Sequence, residues 1–206
     1  MFFEPEQAPE ELLEKVVAYA QKARRSGLVS LEDDASAEPD PFLKKALNLA
    51  VDGTDLVELR IMMELDIDMA ERRAEADAKV FEMAGGYAPT IGIIGAVMGL
   101  IQVMKHLENI DEVGRGIAVA FVATVYGVAS ANILFLPAGG KIKARAHRET
   151  ELKELTLEGV VGIVEGMNPK LIRAKLGAYC QEVGRGEQPV KVAATDEKVA
   201  AFGAEA

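Results

Sequence analysis

MAGGYAPTIGIIGAVMGLIQVM, residues 83–104, contains no charged side chain, and neither does GIAVAFVATVYGVASANILFLPAGG, residues 116–140. A helix needs about 20 apolar residues to cross the hydrocarbon core of a bilayer, and both stretches are long enough. Only the polar residues 105–115 separate them, and the chain on either side is dense in Lys, Arg, Asp and Glu. The pattern predicts an all-α protein: an integral membrane helical hairpin with helical flanks in the cytoplasm.

Bulk composition hides this. Of 206 residues, 50% are hydrophobic and 27% charged, the average of two apolar rods and very polar surroundings. The net charge of -10 argues against nucleic-acid binding, which leaves a basic footprint. Cys180 is the one cysteine, so no internal disulfide forms, and it reads as an inert thiol. The opening Met1-Phe2-Phe3-Glu4-Pro5-Glu6 has neither the basic nor the apolar part of a signal peptide. Neither a Walker motif, a metal-ligand cluster nor a nucleophile–base set stands in the sequence. The expectation is no enzyme, no catalytic residue, no metal and no cofactor.

Residues 1–82 are expected to be a helical cytoplasmic domain too small for a large core of its own, leaning on neighbouring subunits. Leu12, Leu13, Val16, Val17, Ala20 and Ala23 share one face of a first helix, which Ser26-Gly27 ends. LEDDASAEPDP, residues 31–41, reads as a solvated acidic loop. A short apolar helix over Phe42–Val51 closes at Asp52-Gly53. Thr54 or Asp55 then caps a long third helix whose alternating charges suggest a shaft leading to the membrane at 83–104. After the second span, residues 141–183 read as amphipathic helices, broken at Gly166 and restarted by Asn168-Pro169. Residues 184–206, rich in Gly, Ala and charge, read as a disordered tail.

Orientation comes from the loops. Lys141, Lys143, Arg145, His147 and Arg148 follow the second span with no acid before Glu149, whereas Lys105 and Arg115 in the turn face Glu108, Asp111 and Glu112. Basic loops stay inside. Both long flanks are then cytoplasmic and the short turn 105–115 lies outside.

Within the first span, Gly95-x-x-x-Gly99 is a weak motif for close helix packing, with Gly92 one position off its stripe. It suits packing within the hairpin and packing between subunits equally. In the second, Thr124 with Ala120, Gly127 and Ala131 makes a small, mildly polar stripe that either lines a water path or bonds across helices. Pro89 and Pro137 each remove a backbone donor near a cytoplasmic end, as kinks or as hinges. No Asp, Glu, Lys, Arg or His lies in either span, yet carrying a proton through a bilayer normally needs such a relay. Any ion path here must borrow its acid from another chain.

The run Gly85–Leu100 resembles the third membrane helix of the MotA family of flagellar motor stator subunits. Ala118–Asn132 with Leu136-Pro137 is similar to its fourth. Ala23-Arg24-Arg25-Ser26-Gly27-Leu28-Val29-Ser30-Leu31-Glu32 and Val51-Asp52-Gly53-Thr54-Asp55 are similar to its cytoplasmic loop. The resemblance runs in order from about Leu12 to Tyr179. It implies a pentameric ring around a dimer of MotB, whose membrane aspartate accepts the ion, with torque delivered to the rotor protein FliG. It implies that Arg24 and Glu32 are the charged pair engaging FliG. It implies that Pro89 and Pro137 couple ion binding to motion, and that Thr124 is the hydroxyl near the partner's aspartate. Ala96 stands where sodium-type stators tend to carry Thr, which leans towards protons. The family has two more membrane helices before its loop, and Met1-Phe2-Phe3 reads as the end of the second. Either the start lies further upstream or the form is truncated, which would put assembly and leak control in doubt. Two other readings stay open: an energiser of envelope transport of the TolQ/ExbB type, and a non-conducting scaffold or fragment.

Overall fold

In the computed structural model, residues 9–105 and 107–185 are described, and among them every regular element is helical. Residues 1–8 and most of the tail expected at 184–206 lie outside the described residues. The chain order is α1 (Pro9–Ser26), a 3-10 turn (Leu28–Leu31), α2 (Glu32–Ala37), α3 (Pro41–Val51), α4 (Leu56–Lys105), α5 (Ile110–Ala129), a π-helical segment (Ser130–Phe135), α6 (Leu136–Val164) and α7 (Pro169–Arg185). The shaft and the first span are one rod: α4 runs for 50 residues, about 75 Å at 1.5 Å per residue. Ile110–Val164 forms a second continuous rod of 55 residues that returns beside it.

The rods cross two environments. At their cytoplasmic ends lies a core of Leu59, Met63 and Ile67 from α4, Leu155, Val160 and Val161 from α6, Leu43 and Leu47 from α3, Val16 and Val17 from α1, and Ile172 and Leu176 from α7. Burial of each such side chain contributes about 1.5–3 kcal/mol. Neither flank builds this core by itself; it is shared between them. α1 packs across α6 and α7, and α3 across α6, so the two flanks close into a single bundle.

Capping explains where the elements stop. Asp40 accepts a hydrogen bond from the Phe42 N–H at 2.9 Å ahead of Pro41 in the first turn of α3. Asp55, rather than Thr54, takes the Val57 N–H at 2.9 Å at the start of α4. Gly166, at φ 69°, ends α6 with Met167 N–H bonded to the Gly162 carbonyl at 3.0 Å, a backbone conformation that favours glycine. Asn168 accepts from the Lys170 N–H at 3.0 Å and starts α7 at Pro169.

The acidic stretch 31–41 is not a loop. Leu31 and Ala35 are fully buried, and that anchorage winds Glu32–Ala37 into a short helix. The turn between the spans is also shorter than 105–115. Helix α4 continues through Lys105 and α5 begins at Ile110, capped by Asn109 accepting from the Asp111 N–H at 3.2 Å.

Beyond the bundle the rods show bare apolar sides. Ile91, Met98, Phe121, Tyr126 and Ile133 are each about two-thirds exposed or more. Only 11% of the most hydrophobic window in each rod is buried. A soluble protein does not present a surface of that extent to water. The hairpin is a membrane structure rather than the core of a soluble fold.

Candidate functional site

The hairpin is closed along a seam of very small residues. Ala78, Gly85, Gly92 and Gly99 of α4 are all buried and recur every seven positions. A strict seven-residue repeat keeps one face towards a partner helix when the pair winds left-handed. The opposing face is Gly116, Ala120, Ala123 and Gly127. A methyl group on Gly92 would stand 2.9 Å from the Ala123 carbonyl oxygen and 3.1 Å from the Gly127 Cα. One on Gly127 would stand 2.8 Å from the Ala88 carbonyl oxygen. Backbone meets backbone here, which only glycine permits, and in lipid such packing carries the association that apolar burial carries in water.

This alters the glycine reading. Gly92 lies on the seam with Gly99, whereas Gly95 is half-buried at its margin, its hypothetical methyl 3.0 Å from Ala123 Cβ. The pair Gly95-x-x-x-Gly99 is therefore not the unit of contact. The signal was present in sequence as the spacing 78, 85, 92, 99, which a search for GxxxG passes over.

The two prolines are brought to neighbouring turns. Pro89, half-buried, sits inside α4 and leaves the Gly85 carbonyl without its usual donor one turn back. Gly85 in turn packs on Leu136, whose Cδ2 would lie 2.8 Å from a methyl at that glycine. Pro137, exposed, follows Leu136 directly and stands at the start of α6. Immediately before it the helix loosens to π spacing over Ser130–Phe135, which no sequence pattern had suggested. A proline that cannot donate, next to a widened turn, is a local weakness in the rod, and such segments mark functional positions more often than chance.

Thr124 lies one level deeper. Its hydroxyl donates to the Ala120 carbonyl at 3.2 Å and its Cα stands 3.4 Å from a methyl placed on Gly92. Half-buried, it keeps oxygen lone pairs available to a group from outside the chain. Ala96 is half-buried one residue beyond Gly95. Ser130 and Asn132 also bond back to their own helix, at 3.0 Å to Gly127 and 2.9 Å to Val128. None of these residues can exchange a proton at physiological pH, so the hairpin offers packing, polarity and a soft segment but no acid.

Arg24 and Glu32 belong to the other half of the molecule. Both are exposed, Arg24 in the last turn of α1 and Glu32 at the first position of α2. Between them Gly27 turns the chain at φ 81°. Among the described residues neither enters an ion pair, whereas their neighbours are paired: Lys22 with Asp34 at 2.6 Å, and Lys15 with Glu38 at 2.9 Å.

Two carboxylates that sequence reasoning passed over hold this region. Burial pushes the Glu38 carboxyl up, but hydrogen bonds from Lys15, Tyr19 and the Asp40 N–H outweigh it, so the group ionises below the usual glutamate range. Burial and the same contact push the Tyr19 phenol up. Glu158 is similar: burial raises it, while Lys175 at 2.5 Å and Arg60 at 2.7 Å bring it net below the usual range. An open cleft of about 390 Å³ beside that pair is lined by Arg60, Glu64, Asp68, Glu71 and Glu154. Among the described residues there is no cluster able to hold a metal ion.

Comparison with known proteins agrees with this geometry. Residues 34–155 match the model of the MotA/TolQ/ExbB proton channel family. The chain is 42% identical over 170 residues to Motility protein A of Bacillus subtilis, covering 82% of this chain and 63% of that protein. It is 36% identical over 179 residues to Motility protein A of Helicobacter pylori, covering 87% and 70%. The fold superposes on the flagellar MotAB stator complex from Bacillus subtilis with a TM-score of 0.82 and 39% identity, covering 89% of this chain and 72% of the other. The chain thus spans less than two thirds of the length of the Bacillus subtilis Motility protein A, and 70% and 72% of the other two.

Proposed function

Because the chain belongs to the MotA/TolQ/ExbB proton channel family, we propose that it is the ring-forming subunit of a flagellar motor stator. In this reading it sits in the bacterial inner membrane with both ends of the described chain in the cytoplasm. A MotB-type partner supplies the membrane carboxylate, and several copies, five by family likeness, surround it. Ion flow, of protons on the strength of Ala96, turns the ring, and its cytoplasmic edge drives the rotor protein FliG.

The observation that carries this reading is the hairpin itself. Its two spans are closed on each other by glycines, bare of cover on their outer sides, and devoid of Asp, Glu, Lys, Arg and His. Such a structure needs both apolar neighbours and a borrowed carboxylate before an ion can cross. Thr124 is the hydroxyl placed to face that carboxylate. Pro89, Pro137 and the π segment, all towards the cytoplasmic ends of the spans, are the places where a change at the ion site can become a change of rod direction. Arg24 and Glu32, exposed and free of ion pairs among the described residues, are the charges presented to the rotor.

The test is complementation. The chain is supplied to a motile bacterium lacking its own subunit, alone and joined to the amino-terminal segment of a longer relative. Restored swimming in either form is expected, with reversal of Arg24 or Glu32 impairing swimming while the MotB-type partner still co-purifies. Full swimming in both reversals would remove the torque assignment. Co-purification with a TolR- or TonB-linked partner instead of a MotB-type one would move the chain to envelope energisation.

A further inference from the structure

The Arg24–Glu32 edge is built on very little. Helix α2 spans only Glu32–Ala37, far below the length at which a helix holds itself together in water. Its position is set by what grips it from outside. At its start, Leu31 is fully buried, and Ala35 is buried in its middle. Lys44 donates to the Ser36 carbonyl at 2.7 Å. At its end stands Glu38, whose side chain is 1% exposed in an otherwise polar region.

Glu38 is gripped from three directions. Lys15 donates to Oε1 at 2.9 Å and Tyr19 to Oε2 at 2.8 Å, both from α1. The Asp40 N–H donates to Oε1 at 3.3 Å, from the turn that leads into α3. Asp40 is also the cap of α3 through Phe42. One carboxylate thus ties α1, the end of α2 and the start of α3 together. A surface glutamate would need none of this, and a buried one is costly unless it is paired and hydrogen-bonded.

We infer that Glu38 is the positioning residue of the rotor-facing edge, fixing α2, and with it Glu32, against the end of α1 that carries Arg24. The inference rests on the rotor reading for its purpose but not for its geometry. Without the Glu38 anchor the end of the six-residue helix keeps only the Lys44 bond to the Ser36 carbonyl. Its earlier part keeps buried Leu31 and Ala35 and the exposed Asp34–Lys22 pair, a pair of the kind that contributes little. Its few backbone bonds then fray from the Ala37 end, and Glu32, left with Leu31 and Ala35 as its nearest buried anchors, is less closely fixed against α1. Asp33 and Asp34 drift with it.

The test measures the edge directly in the complex with its membrane partner. Spin labels replace Arg25 and Asp33 on exposed faces of α1 and α2, with Cys180→Ser to remove the native thiol. A control pair replaces Asp52 and Glu165, outside the edge but in the same bundle. The expected result is a narrow edge distance that broadens in Glu38→Gln and Glu38→Ala, and also in Tyr19→Phe, which keeps the ring and removes only its hydroxyl. The control distance stays narrow in all three. A narrow edge distance in every variant would overturn the inference. Equal broadening of both pairs would overturn it too, since Glu38 would then hold the bundle in general. Loss of swimming in Glu38→Gln without broadening would likewise count against it. If instead the edge loosens as expected but reversal of Arg24 and Glu32 leaves swimming intact, the clamp stands and the rotor reading falls.

Discussion

On α4, Leu59, Met63 and Ile67 are buried in one cluster with Leu43, Leu47 and Leu155, whereas further along the same helix the contacts are Gly85 against Leu136, Gly92 against Ala123 and Gly127, and Gly99 against Ala120. The bundle is held by removing large side chains from water. The hairpin, whose large side chains already sit in an apolar medium, is held by bringing backbones close. The same two rods therefore change their packing chemistry where they change solvent. A rod fixed firmly at one end and closed by a smooth, small-residue seam at the other can transmit a change of direction along its length.

The contrast can be broken most severely in the seam. Gly92→Leu or Gly127→Leu places a branched side chain where even a methyl would meet a carbonyl oxygen or a backbone carbon within about 3 Å. Loss of intact complex in detergent extracts is expected, while Gly86→Leu, with nothing within 4 Å inside the chain, is tolerated within the hairpin. Normal yield of the Gly92 variant would mean that the rods do not pack as described.

The next largest effect is in the bundle. Leu155→Ala and Leu47→Ala each remove a side chain that is fully buried, at a cost of about 2–5 kcal/mol, read as a lower melting temperature of the purified complex. Leu100→Ala, on the bare outer side of the hairpin, should change melting far less. Equal losses at the two places would erase the distinction between them.

A smaller effect is expected at the paired carboxylates. Glu158→Gln removes the charge that Arg60 and Lys175 share and leaves one acceptor oxygen where they used two, and should cost about 1–3 kcal/mol. Glu38 and Glu158 ionise more readily in the folded bundle than in an unfolded chain, where glutamate titrates near about pH 4.3. The stability they lend is complete above that value and is lost as pH falls through their lower folded values. Melting should stay level from neutral pH down to the ordinary glutamate range and then fall, less steeply in Glu38→Gln/Glu158→Gln. A fall already at mildly acid pH, abolished by those substitutions, would contradict the direction given for them.

Much of this was legible in the residues. The two uncharged stretches announced the hairpin, and the apolar periodicity of Leu12–Ala20 announced a bundle face. Gly166 and Asn168-Pro169 marked a helix break with a physical cause. Other features were not local properties and so could not be read. Residues 32–37 look like loop because their helix depends on burial of Leu31 and Ala35 by distant segments. Glu38 looks like one more surface acid because Lys15 and Tyr19 reach it only after folding. The π segment just ahead of Pro137 has no residue pattern of its own, and the glycine seam was masked by a more familiar spacing beside it.

The claim beneath the proposed function is that these rods cannot pass an ion without an acid from another chain. It is tested by proton flux into vesicles holding the purified chain with and without its MotB-type partner. No flux is expected from the chain by itself. Flux is expected with the partner, and its loss when the partner's membrane carboxylate is replaced by an amide. Proton conduction by this chain unaided would contradict the account.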